Sequence, residues 1–135
     1  PAMLLSQLWL GSLLRAEGRV EDAVILQTEM LRQLRVRLAA DHPDLALAEA
    51  ELGRSLLAAR RYLAAQEHLQ QARTACATRF GTDGWQCAEI DLDLAAVMEG
   101  TGHLQEARVL REQAFRQLRR GLPDDAVDRH GFARA

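Results

Sequence analysis

The sequence predicts an all-α protein built from three consecutive helical hairpins, and three observations carry that expectation. The phrase GRVEDA at 18–23 returns as RRYLAA at 60–65 and as GHLQEA at 102–107, a constant spacing of 42. Leu and Ala dominate while aromatic residues make up only 4% of the chain, a composition that favours helices over sheets. Between the repeated phrases, apolar residues recur at spacings of three and four, the period of one helix face.

Superposition at 42 aligns Leu10, Leu52 and Leu94, then Gly11, Gly53 and Ala95, then Leu14, Leu56 and Met98. Val20, Tyr62 and Leu104 follow, with Ala23, Ala65 and Ala107 behind them. The last columns are Met30, Ala72 and Ala114; Leu34, Cys76 and Leu118; and Leu38, Phe80 and Leu122. Size and polarity match without a gap, so the chain is read as one domain, 1–135, with repeats at about 4–40, 44–82 and 86–122.

The first helix opens within PAMLLSQLWL, already in a helical pattern and without a cap, as expected of a piece cut from a longer protein. EGR ends it, and Gly18 supplies the helix-ending conformation. The next helix runs from Val20. The second hairpin is expected to start at a cap on Asp41, with Pro43 in the first turn. Leu45, Ala48, Leu52 and Leu56 mark its first helix; Tyr62, Ala65, Leu69, Ala72 and Cys76 mark its second. Arg60 stands between them, so this turn closes without glycine. Asp83 with Gln86 fits a capping box for the third hairpin, whose turn is GTGH with Gly100 and Gly102. Asp125 with Asp128 is expected to open a short capping helix or frayed tail over 123–135 that stops at Gly131. Small residues on both helices, such as Gly53 and Ala65, allow the close approach of an antiparallel pair.

The leucine–small pair (Leu52, Gly53), Leu56, the turn Gly18-x-Val20 and the paired alanines Ala65 and Ala72 resemble the tetratricopeptide repeat (TPR). DHPDLA at 41–46 is similar to the linker of its 42-residue, kinesin-light-chain-like form. The chain departs from that pattern at Gln7, Glu49 and Asp91, and at Gln27, Leu69 and Arg111. The resemblance covers about 4–122 and implies a right-handed α-α superhelix whose first helices line a concave groove. On that geometry the groove residues are Leu5, Leu8, Trp9, Ser12 and Arg15; Leu47, Ala50, Arg54 and Leu57; and Glu89, Leu92, Asp93, Ala96 and Glu99. The implied function is non-catalytic binding of a protein or peptide segment with apolar anchors and some positive charge. The implied parent is a bacterial multidomain regulator, such as a serine/threonine kinase. The alternative is a structural module that stacks on itself, as a homo-oligomer, or on neighbouring repeats. Family members that clamp acidic chaperone tails use Lys, Asn and Arg where this chain has Leu8, Ser12, Glu51, Glu89 and Asp93, so that role is excluded.

No catalytic, cofactor or metal constellation is present in the sequence. The histidines His42, His68, His103 and His130 are scattered, and DHPD at 41–44 is a turn rather than a ligand set. Phosphate loop, nucleotide fingerprint and nucleophile elbow are all missing. Net charge is -2, which supplies no field for nucleic acid. No apolar run approaches the ~20 residues that span a bilayer, and no secretory leader pattern is found. The chain has neither Lys nor Asn, so it carries no N-glycosylation acceptor and reads as the product of a GC-rich, bacterial genome.

Cys76 shares a column with Leu34 and Leu118, and Cys87 with Met3 and Leu45, so both are core positions suited to buried free thiols. The turn at 81–84 also brings them to one level of an antiparallel pair, where a disulfide is allowed. A bridge would contribute at most about 3 kcal/mol and would place the segment on the exported side; free thiols fit the cytoplasm.

Overall fold

The computed structural model describes residues 2–121, with side chains from Ser6 onward. Among the described residues six α-helices follow one another: α1 (Ala2–Ala16), α2 (Val20–Arg37), α3 (Pro43–Ala58), α4 (Tyr62–Phe80), α5 (Ala88–Gly100) and α6 (Leu104–Gly121). A single 3-10 turn, Trp85–Cys87, precedes α5, and there is no strand among the described residues. Tail 123–135, with the expected cap at Asp125, lies outside the described residues. The chain divides into two compact units, 1–75 and 76–135.

The repeat of 42 is visible in backbone chemistry. At the three tight turns Arg19, Arg61 and His103 donate their N–H groups to Leu14, Leu56 and Met98 O, at 2.8, 2.9 and 2.8 Å. This is the bond that satisfies an orphan carbonyl at a helix end. The residue that makes the reversal has positive φ each time: Gly18 at 84°, Arg60 at 62° and Gly102 at 87°. The second turn therefore closes without glycine, and Arg60 holds a left-handed conformation that costs an L-residue about 1–2 kcal/mol. Gly100 is instead the last residue of α5.

The helix starts correct the sequence expectation. α3 is capped by His42, whose Nδ1 accepts the Asp44 N–H at 3.1 Å, and not by Asp41. Pro43 occupies the first turn, where its missing N–H costs nothing. The Asp83–Gln86 box is not the start of α5, because the 3-10 turn intervenes and α5 begins at Ala88 without a side-chain cap. Trp85 in that turn packs on the backbone of Gly121, where an added Cβ would stand 2.1 Å from its ring.

In the first unit the core is made by Ala23, Met30, Leu31, Leu34, Leu45, Ala48, Leu52, Leu56, Ala65, Leu69 and Ala72, all buried. Gly53 lets α3 approach α4 closely, since a Cβ there would stand 2.7 Å from Leu69 Cγ. The same pairing in α1 and α2 sets Gly11 against Gln27, whose buried Nε2 and Oε1 find no partner among the described residues. The second unit has its own core of Ala88, Ala114 and Leu118, with Leu92 and Phe115 against it. There Cys76 and Cys87 stand at disulfide distance, their Cα atoms 5.7 Å apart.

Candidate functional site

Helices α1 and α3 leave a groove of about 340 Å³ lined by Leu8, Trp9, Ser12, Leu47 and Glu51. Leu8 is buried and floors it, while Trp9 is 70% exposed and Leu47 43% exposed, so two large apolar side chains rim the groove. Both positions follow from helix periodicity: Leu8 and Ser12 are one turn apart, as are Leu47 and Glu51.

Its polar side is a network centred on Glu51. Ser12 Oγ donates to Glu51 Oε2 at 2.8 Å, and Arg15 Nη2 reaches the same oxygen at 3.0 Å. Arg54 Nη1 donates to Oε1 at 2.8 Å. Arg15 Nη1 also donates to Ser55 Oγ at 2.9 Å, which fixes the level of α1 against α3. Burial alone would push the Glu51 carboxyl up; the Ser12 hydroxyl and the two guanidinium groups outweigh it and hold the carboxyl below its usual range.

The remaining sequence-predicted groove residues divide. Arg15 and Arg54 are ion-paired with Glu51, which itself lines the groove. Leu57 is half-buried and Ala50 is buried, and neither lines this groove. Leu5 lies in α1, and its side chain is outside the described residues. In the second unit, Glu89 is exposed on α5, while Asp93 and Ala96 are half-buried. Leu92 packs against the hairpin core. Glu99 is ion-paired with Arg111 of α6, so its charge is spent within the hairpin.

Sequence reasoning passed over a second polar cluster. Glu49, buried in α3, holds Arg35 of α2 through Oε1 and His68 of α4 through Oε2. Arg35 and Glu49 border a cleft of about 310 Å³ with Leu38, Leu45 and Gln71. The polar column Gln7, Glu49 and Asp91, already a departure from the repeat pattern, was the available signal. Its meaning needed partners 14 and 19 residues away. Among the described residues no group of three or more His, Cys, Asp or Glu could hold a metal, and no helix is long and apolar enough to cross a membrane.

No protein-family model matches the chain, and no curated protein matches it. Solved structures do. A Podosopora anserina protein assigned as a kinesin light chain, with nearly identical TPR-like repeats, superimposes with a TM-score of 0.80 at 26% identity. A variant of that protein gives 0.78 at the same identity. Each match covers 91% of this chain and 58% of the other, so the chain spans rather more than half the length of these neighbours.

Proposed function

Because the chain is an all-α, TPR-like repeat protein, we propose that it is a non-catalytic interaction module taking a peptide segment in the groove between α1 and α3. The observation that carries this reading is the exposed pair Trp9 and Leu47 above a buried Leu8, beside a polar frame already hydrogen-bonded to Glu51. An apolar anchor placed there gains burial, and the frame loses little freedom because Arg15, Arg54 and Ser12 are held by Glu51 before any ligand arrives. The same commitment of both arginines supports exclusion of an acidic tail as ligand, since neither is free to clamp a carboxylate without giving up Glu51. Apolar fit, rather than charge, then sets selectivity. The Cys76–Cys87 pair supports an oxidising compartment for the chain.

The test is selection of peptides from a displayed random library on the intact chain, followed by calorimetry. Wild type should select sequences that share a large apolar anchor. Leu47→Glu and Trp9→Ala should each weaken binding by about tenfold or more, as truncation of interface anchors does. Selected peptides that bind both variants as tightly as wild type would sink the groove reading.

A further inference from the structure

The polar frame of the groove is not a demand of the repeat. At the spacing of 42, Glu51 shares its column with Trp9 and Asp93, Ser12 with Arg54 and Ala96, and Arg15 with Leu57 and Glu99. Packing columns such as Leu10, Leu52 and Leu94 keep one character along the chain, and these three columns keep none. The Glu51 carboxylate nevertheless has three donors, from Ser12, Arg15 and Arg54, and its side chain is 14% exposed. Arg15 does not depend on that carboxylate for its place. Its Nη1 donates to Ser55 Oγ at 2.9 Å and to the Glu51 backbone O at 3.3 Å, and Ser55 is fully buried. The donors thus form a carboxylate receptor beside an apolar groove, and a carboxylate of the chain itself fills it.

We propose that Glu51 determines the selectivity of the groove, as a resident stand-in for a ligand carboxylate. The proposal rests on the groove reading above and names the residue that sets its ligand class. A second carboxylate entering there would meet a like charge and donors already taken, and would lose its water without replacement. A ligand cation gains little, because two guanidinium groups already balance Glu51. An uncharged apolar segment meets neither obstacle. With the Glu51 carboxylate removed, the same donors receive a carboxylate carried on an apolar group, whose apolar part lies against Leu8, Trp9 and Leu47.

Chemical rescue of the full chain tests the assignment without a peptide. Glu51→Ala removes the atoms of one acetate ion. Sodium acetate at neutral pH should therefore raise the Tm of this variant above its value in sodium chloride of equal ionic strength, increasingly with concentration. The gain should exceed that of wild type, whose receptor is filled, and that of Glu51→Ala with Arg15→Gln; both carry only the general salt effect. Should Glu51→Ala be unfolded in chloride, return of its helical circular dichroism in acetate is the same readout. The second arm uses a peptide selected on wild type, and copies with glutamate beside its anchor. Wild type should bind each acidic copy at least about tenfold more weakly than the parent peptide. Glu51→Gln, which keeps the shape without the charge, should reduce that penalty, and Glu51→Ala should abolish it for at least one copy. Acetate that lifts Glu51→Ala no more than wild type overturns the proposal, as does an acidic penalty that neither variant changes. Both results leave the groove reading in place, whereas a library that yields no shared apolar anchor sinks that reading and not the acetate response.

Discussion

Replacing Arg60 by glycine should stabilise the protein, which is unusual for a change that removes a whole side chain. Arg60 occupies the column of Gly18 and Gly102, has φ of 62°, and sits in the turn where Arg61 donates to Leu56 O at 2.9 Å. Left-handed backbone costs an L-residue about 1–2 kcal/mol, and glycine returns part of that gain through its greater freedom when unfolded. The net expectation is about 1 kcal/mol, or roughly 3–5 °C in Tm for a chain of this size. Urea and thermal unfolding of Arg60→Gly, with Arg60→Ala as control, would read it. Alanine removes the same side chain but keeps the strain, so it should change little. The reverse change, Gly18→Ala, should cost about 1 kcal/mol although an added Cβ there meets nothing within 4 Å. Equal shifts for Arg60→Gly and Arg60→Ala, or a neutral Gly18→Ala, would refute the reasoning.

Gln27→Leu should raise the urea midpoint by the equivalent of about 1–2 kcal/mol, because it removes two buried polar atoms that lack partners among the described residues and installs the residue that Leu69 already provides against Gly53. Glu51 has a depressed carboxyl in the folded state, so its contribution is complete above the ordinary carboxylate range and is lost as pH falls toward the folded value. Wild type should therefore lose stability faster than Glu51→Gln as pH falls below the ordinary carboxylate range, with the two curves converging at the acid end. Reduction of the Cys76–Cys87 bridge, or Cys76→Ser with Cys87→Ser, should cost up to about 3 kcal/mol for so short a loop, read as a lower Tm under dithiol. An unchanged Tm on reduction would show that the thiols are not joined.

The repeat was legible because its columns are packing requirements that recur: a residue small enough for a close approach, an alanine facing it, a reversal after the first helix. The turns were legible for the same reason, down to the absence of glycine at Arg60. Helix starts were read less well. Pro43 at the first position of α3 implies that the cap is the residue before it, His42, although the aspartate column runs through Asp41. The late start of α5 was not local information at all, since the 3-10 turn before it is tied to the packing of Trp85 on Gly121, 36 residues on. Groove membership was read from single-helix periodicity, which put Ala50 on the same stripe as Leu47 and Arg54. Which part of that stripe is covered depends on how neighbouring helices lie against α3, and that is set by contacts such as Arg15 to Ser55. The network around Glu51 joins residues 36 to 39 apart, beyond the reach of any local pattern.

The central claim, that a peptide anchor is received between α1 and α3, is tested most directly by fluorine NMR of the chain labelled with 5-fluorotryptophan. The two indoles report separately: Trp9 rims the groove, and Trp85 packs on Gly121 in the other unit. Addition of a selected peptide should shift the Trp9 resonance and leave Trp85 in place, and Leu47→Glu should abolish the shift. A peptide that binds by calorimetry while Trp9 stays unmoved would contradict the account.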